Sequence, residues 1–223
     1  MEMEKWLEEV NKDNILTAHH LDLFKKLSDI VNNNEKLRKM DSTILNWMQD
    51  AFTTDLVVCI GRICDRDKRT ISLTRFLETL KDKPEYLTRE RYVKLWPTSE
   101  DFFAQRGFDH LAGENQQSFS TAIISADIKK ITEEDPIEKI MTYRHQHIAH
   151  NDKNKCEAPT YEELFQAFKI IEDLIKKYNL LLRTSTYTNL APVMQGYWEE
   201  VFTIPWINRE KMIVSEPPPL PSL

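Results

Sequence analysis

Apolar residues recur every three or four positions through much of this 223-residue chain, as in helices that bury one face. The repeat is clearest in residues 42–66 and after residue 160. The first stripe comprises Leu45, Met48, Phe52, Leu56, Cys59 and Ile63; the second comprises Leu164, Phe168, Ile171, Ile175 and Tyr178. Because only four glycines interrupt the chain, we expect an all-α fold, a bundle of four to five main helices.

Local start and stop signals divide the chain into helices. We expect two helices in the first 40 residues, the second beginning at Thr17 as N-cap and ending at the asparagines 32–34. Ser72 or Thr70 is expected to cap a shorter helix. Thr160 and Glu163 have the spacing of a capping box and are expected to begin the last long helix.

Two stretches depart from the long-helix pattern. Residues 81–115 contain two prolines and two glycines among mixed charges and aromatics, so we expect an insertion of short helices and loops. Residues 184–223 are expected to form a C-terminal extension, first rich in aromatics and then in proline. The helical domain is thus expected over 1–183, with its core at about 40–180.

The composition is typical of a soluble globular protein, with 41% hydrophobic and 30% charged residues. No apolar run is long enough to span a membrane, and the N-terminus lacks the features of a signal peptide, so we expect a cytoplasmic protein. The net charge of −6 argues against coating of nucleic acid, although it leaves room for a small cationic cleft. Cys59, Cys64 and Cys156 have no metal-ligand spacing, and Cys59 and Cys64 are expected in the core.

One segment, residues 143–152 (YRHQHIAHND), concentrates chemistry-bearing side chains. It holds three of the six histidines. Asp135 as N-cap and Pro136 at the first helical position predict a helix leading into it. Arg144 lies on that helix's apolar stripe, where an arginine is costly to bury unless an anion meets it.

Arg144 and His150 suit cleavage of a phosphodiester bond. On a straight helix they would lie about 120° apart around the axis and about 9 Å along it, so they converge only if the helix ends near His150 or a second subunit contributes. The guanidinium would stabilise charge developing on phosphorus, and the imidazole would transfer protons to or from the sugar oxygens. This chemistry needs no metal and no cofactor.

The same residues resemble a known family. Arg144, the polar His145 and His150 after five intervening residues match the R-x(4–6)-H motif of the HEPN superfamily. The run YRHQHIAHND and the upstream block IGRICD (60–65), leading into TISL (70–73), resemble its abortive-infection U-type subgroup. The resemblance covers roughly residues 40–180.

The resemblance implies an α-helical, HEPN-like bundle that forms a homodimer, with the two motifs facing one cleft. It implies a metal-independent endoribonuclease in a toxin–antitoxin or phage-defence system, acting on RNA and often paired with a nucleotidyltransferase-type antitoxin. Arg144 and His150 would be the catalytic pair and His145 an orienting residue. Asp152 matches the subgroup's motif ending without an assigned role, and His147 lies outside the motif.

Each candidate residue also has a structural interpretation. Arg144 would then pair with a carboxylate of the earlier helix, Asp65 or Asp55, and His150 would interact with the dipole at a helix C-terminus. Arg62 is expected to pair with Asp65 on its own helix and, in the functional interpretation, also to help line the cleft. His147 and His150 have an i, i+3 spacing that can hold a metal, but the adjacent Arg144 would repel a cation and no third ligand is apparent.

Three functional hypotheses remain open at this stage. The first is a dimeric RNase that uses Arg144 and His150. The second is a non-catalytic HEPN domain that binds RNA, a nucleotide or a protein partner. The third is a structural helical bundle whose aromatic C-terminal segment docks a partner.

Overall fold

The computed structural model describes residues 3–40, 42–149, 156–185 and 198–204. Within these ranges the chain forms nine α-helices and no strand, which confirms the predicted all-α class. The helices are α1 (Met3–Asn33), α2 (Glu35–Arg38), α3 (Thr43–Ile63), α4 (Leu73–Asp82), α5 (Arg89–Lys94), α6 (Asp101–Ala112), α7 (Thr121–Glu133), α8 (Asp135–Tyr143) and α9 (Tyr161–Arg183).

The chain divides into two units, Met1–Pro192 and Val193–Leu223. All nine helices belong to the first unit. In the second, the described residues form a single 3₁₀ turn, Trp198–Phe202, whose two end rings meet edge to face. The proline-rich stretch and most of the aromatic extension lie outside the described residues.

The predicted start of a second helix at Thr17 was wrong, because α1 runs unbroken from Met3 to Asn33. Thr17 is fully buried within this helix, and its hydroxyl donates to the carbonyl of Asp13 one turn earlier. A threonine that bonds its own helix in this way does not cap a new one. The expected break at the asparagines is confirmed, since Asn34 caps the short α2 through its side-chain oxygen.

The core lies where three long helices meet. α1 packs along both α3 and α9, and α3 also contacts α9. Each contributes an apolar stripe that is almost completely buried: Leu7 and Val10 from α1, Leu56, Val57 and Ile60 from α3, and Leu164, Ile171 and Ile175 from α9. The predicted stripe of α9 is therefore buried throughout, whereas the predicted stripe of α3 enters the core only over its C-terminal half, from Leu56 to Ile63, and is half-buried before that.

α9 begins as its sequence predicts. Thr160 accepts from the backbone N–H of Glu163, and the Glu163 carboxylate accepts from the N–H of Thr160, so the capping box is complete. Of the two candidates for the cap of α4, Ser72 is the one used.

A buried carboxylate fastens α7 to α9. Asp127 on α7 is 1% exposed and accepts a hydrogen bond of 2.9 Å from the hydroxyl of Tyr178. Lys177 also donates to it, at 2.5 Å. Burial and the neighbouring carboxylate raise the pKa of Tyr178, so this phenol remains a donor. A charge buried in this way is tolerated because it is fully paired.

Short helices fill residues 84–112, as expected for this stretch. They are α5, α6 and the 3₁₀ turns Pro84–Leu87 and Thr98–Glu100. Arg89, 9% exposed, ties them together by donating to the Gln116 carbonyl at 2.7 Å and to the Asp109 carboxylate at 2.5 Å. Among the residues described, no helix is both long and apolar enough to cross a membrane.

Candidate functional site

α8 delivers the motif to the bundle. Its N-cap is Glu134 rather than the predicted Asp135, so the start is one residue earlier, with Pro136 within the first turn. Ile137 and Ile140 are fully buried, and the helix packs against α3, α7 and α9. The residue that follows α8, Arg144, is therefore held close to α3.

The backbone widens at the motif. Residues Arg144–Ala149 form a π-helical turn, in which each N–H bonds five residues back instead of four. Such a turn carries one more residue than an α-helical turn and rotates the following side chains relative to a straight helix. Ile148 still packs against the core, so the widened turn remains attached to the bundle. The straight helix assumed in the sequence analysis is therefore not present over Arg144–Ala149.

Gly61 opens a path for Arg144 across α3. A Cβ placed on Gly61 would lie 2.9 Å from Nε of Arg144 and closer still to its Cδ. Real side chains do not approach so closely, so a larger residue at this position would force the Arg144 side chain to shift from its path across α3. A glycine inside a helix costs about 1 kcal/mol relative to alanine, and here the close approach accounts for its presence.

The far end of Arg144 meets Asp65. Its Nη1 lies 3.7 Å from Oδ2 of Asp65, an ion pair longer than a hydrogen bond. The two side chains are 31% and 22% exposed, so the pair is partly shielded but open to a ligand. Of the two partners considered from the sequence, Asp65 is the one present, because the side chain of Asp55 is engaged by His20 of α1.

Arg62 does not pair with Asp65, contrary to expectation. Its Nη2 lies 3.1 Å from Oδ1 of Asp13 on α1. Asp65 lies where the helix has just ended, with Cys64 as C-cap, and its side chain turns to Arg144. Arg62 thus links α3 to α1 while Asp65 links α3 to the motif.

A groove of about 550 Å³ runs beside these pairs. Thr70 and Ile71 line it together with three basic and three acidic side chains. The charged residues are Lys12, Arg62, Arg69, Glu9, Asp13 and Asp65. The alternative that Arg62 lines a cleft is therefore consistent with its position. Arg69 is already engaged, because its guanidinium donates two hydrogen bonds to the Asp67 carboxylate. These bonds lower the pKa of Asp67 to about 2. The groove is polar and close to neutral, not a strongly cationic channel.

The histidines of the motif differ in their surroundings. His145 is exposed. The ring of His147 stacks on Tyr143 with centroids 4.5 Å apart, and its Nε2 is buried with no hydrogen-bond partner in the described ranges. His150 and Asp152 lie outside the described residues, so the arrangement of Arg144 relative to His150 stays a prediction.

Two contributors to the site were missed by the sequence reasoning. Gly61 could have been found as a lone glycine within a strongly predicted helix, a feature that often marks a close backbone approach. Asp13 gave no such signal, because nothing in the local sequence distinguishes it from other carboxylates of α1, and it acquires its role through the packing of α1 on α3.

Comparison with known proteins gives one positive result. A family model for HEPN proteins of the AbiU2 type matches residues 2–201. No curated protein and no solved structure matches the chain. The matched range includes the block around Gly61, the motif at Arg144 and all nine helices.

Proposed function

Since the chain belongs to the AbiU2 family of HEPN proteins, we propose that it is a metal-independent endoribonuclease of a phage-defence or toxin system. Arg144 and His150 are the proposed catalytic pair. His145 is the proposed orienting residue, and Arg62 contributes to the groove. The family membership makes an RNase role the natural candidate, and the placement of Arg144 is the observation that supports it.

Arg144 forms the ion pair that the structural interpretation expects, but its side chain stays partly exposed next to a residue of the groove, which supports a functional role as well. Its stem crosses α3 over Gly61, and its guanidinium stops at Asp65, a residue that lines the groove. The separation of 3.7 Å from Asp65 leaves the ion pair loose. A phosphate oxygen arriving from the groove would compete well for the guanidinium, because a guanidinium binds phosphate through two parallel hydrogen bonds.

The proposed reaction is transesterification within RNA. The 2′-oxygen attacks the adjacent phosphorus, the bond from phosphorus to the 5′-oxygen breaks, and a 2′,3′-cyclic phosphate and a 5′-hydroxyl form. Arg144 stabilises the negative charge that grows on the non-bridging oxygens. His150 accepts the proton of the 2′-hydroxyl or donates one to the departing 5′-oxygen, as an imidazole titrating near neutrality can.

A homodimer completes the proposed site. One copy of the motif offers one imidazole in the His150 role, whereas the reaction requires both a base and an acid. When two copies of the motif face one cleft, His150 of one subunit can act as the base and His150 of the other as the acid.

A non-catalytic domain that binds RNA, a nucleotide or a protein is the second candidate. The observation that favours it is the charge balance of the groove, where carboxylates offset the cations and the whole chain carries −6. An acidic protein gains little of the nonspecific attraction that RNA-binding proteins draw from phosphates.

Incubation of total RNA with the purified chain in excess EDTA tests the proposal. We expect wild type to cut and both Arg144→Ala and His150→Ala to leave the RNA intact, with products ending in cyclic phosphate. Arg183→Ala, at the end of α9, is a control for removal of a distant arginine. RNA that is bound but never cut by dimeric wild type would transfer the assignment to the second candidate.

The biological role has its own test. If the chain is a toxin, its expression should arrest bacterial growth, and Arg144→Ala should relieve the arrest. Co-expression of a nucleotidyltransferase encoded beside it should protect cells that carry the wild type. Normal growth under strong expression of a folded wild type would contradict the toxin role.

A further inference from the structure

Three side chains of different chemistry meet between α1 and α3. His20 of α1 and Asp55 and Cys59 of α3 each place one ligand atom within 4.8 Å of the other two. Asp55 and Cys59 are four residues apart, so they share one face of α3. Nδ1 of His20 contacts Oδ2 of Asp55 directly. The spacing of these residues in the sequence does not predict the group, because His20 reaches Asp55 and Cys59 only through the packing of α1 on α3.

We propose that His20, Asp55 and Cys59 form a binding site for a zinc-like divalent ion. Imidazole nitrogen, carboxylate oxygen and thiolate sulfur are the three ligand types that zinc takes in proteins. Around a tetrahedral zinc ion, ligand atoms lie about 3.3–3.8 Å apart. The ligand atoms of the group lie no more than 4.8 Å apart, so an ion would require only small side-chain movements that separate His20 from Asp55 and bring the Cys59 sulfur to bonding distance.

The charges also balance. A divalent ion bound by neutral His20, the Asp55 carboxylate and the Cys59 thiolate makes a neutral complex, which is the favourable form for a partly buried site. The thiol proton is released to solvent as the sulfur–metal bond forms. The Asp55 side chain is 44% exposed, so water can reach the ion and supply a fourth ligand.

A Cys–His–Asp nucleophile is a poorer interpretation of the same group. Cys59 is 5% exposed, and burial raises the pKa of its thiol to about 11. Reactive cysteines instead lie in accessible places that favour the thiolate. Metal binding needs no substrate access to the sulfur, whereas acyl or phosphoryl transfer does.

The ion would cross-link α1 and α3 close to the groove. Cys59 is one helical turn from Arg62, which joins the same two helices through Asp13. Neither Arg144 nor His150 is among the ligands, so this inference does not depend on the proposed cleavage reaction.

Metal binding by the full chain provides the test. Protein stripped with a chelator is titrated with Zn²⁺ against a coloured competitor, and with Co²⁺ to detect thiolate-to-metal absorption. We expect wild type to bind a single ion, with the cobalt spectrum showing one thiolate. Cys59→Ser and Asp55→Asn should weaken zinc binding by about 100-fold or more, beyond the usual loss from a supporting residue.

Matched controls lie on the same helix. Cys64→Ser changes another buried thiol at the end of α3, and Asp50→Asn changes an exposed carboxylate of the same helix. Both should bind zinc as wild type does. Circular dichroism checks the fold of each variant, and His20→Asn replaces Cys59→Ser if that variant fails to fold. The proposal would be overturned if wild type bound zinc no more tightly than Cys59→Ser or His20→Asn. It would also be overturned if Cys64→Ser or Asp50→Asn lost as much zinc affinity as the ligand variants.

Discussion

At the scale of single residues, the candidate site depends on the fit between Arg144 and Gly61. The Arg144 side chain lies directly against Gly61, which has no side chain to obstruct it, and its guanidinium pairs with the Asp65 carboxylate. The position of Arg144 on an apolar stripe predicts an anionic partner, with Asp65 and Asp55 as the two candidates. The sequence does not decide between them, because the choice follows from the packing of α8 on α3 and from the engagement of Asp55 by His20.

Gly61→Ala should therefore reverse the usual effect of removing a helical glycine. Alanine normally stabilises a helix by about 1 kcal/mol relative to glycine. Here the added methyl group displaces Arg144, and overpacking of this kind typically costs about 1–3 kcal/mol. We expect Gly61→Ala to lower the free energy of unfolding and to reduce RNA cleavage. Urea unfolding and the cleavage assay measure the two effects.

The double variant Gly61→Ala/Arg144→Ala is the matched control. With the arginine removed, the methyl group has room, so Gly61→Ala should now stabilise the chain by up to about 1 kcal/mol. The two substitutions would then show a coupling free energy of about 1–3 kcal/mol. Additive effects would mean that Arg144 does not lie against Gly61 in solution.

At the scale of helices, local sequence signals predicted helix ends and buried faces correctly where tertiary packing did not override them. The capping box of α9, the Ser72 cap and the apolar stripe of α3 were all predictable, because each depends on neighbours within one or two turns. The false start at Thr17 and the π turn at Arg144–Ala149 were not. A threonine can cap a helix or donate back within one, and its identity alone does not distinguish the two. The widened turn packs against α3, which is distant in sequence, so local residue patterns do not predict it.

Glu163 gives a pH test at this scale. Lys139 donates to its carboxylate at 2.7 Å and, together with the bonds from Thr160, lowers its pKa. A carboxyl whose pKa is lower in the folded state contributes stability above its unfolded pKa of about 4.5, and that contribution disappears as the pH falls through the folded value. Glu163→Gln should cost about 1 kcal/mol at pH 7 and progressively less below pH 4.5.

Glu162→Gln is the control for this prediction. It changes the preceding residue, whose carboxylate accepts a hydrogen bond from Gln166. Its effect on thermal unfolding should be small across the pH range. A cost for Glu163→Gln that is constant from pH 7 to pH 3 would show that the Lys139 ion pair does not stabilise the folded chain.

At the scale of the whole molecule, the proposed enzyme is a dimer whose catalytic residues come from both copies. The all-α bundle was predictable from helix periodicity. The arrangement of the two motifs in a dimer was not predictable, since the sequence of one chain does not show which of its surfaces contacts the second copy. The proposal therefore predicts complementation between subunits.

Arg144→Ala and His150→Ala chains, each inactive alone, should regain RNA cleavage when they are co-expressed and form mixed dimers. In such a dimer the cleft holds one intact arginine and one intact histidine. Because the mixed dimer has only one His150, which fills one of the two proton-transfer roles, we expect a rate above that of either parent homodimer and below that of wild type. Mixtures in which both chains lack Arg144 should show no recovery. Purified mixed dimers that cut no faster than either parent homodimer would contradict a shared cleft.

The central claim is that Arg144 and His150 act in breaking a phosphodiester bond without a metal. The most direct test is the single-turnover rate at one RNA bond cut by wild type, measured in EDTA with folded, dimeric protein. Loss of a general acid–base group should lower this rate by about 10²–10⁴-fold for His150→Ala, and Arg144→Ala should cost a similar factor. Rates within about twofold of wild type for either variant would contradict the account.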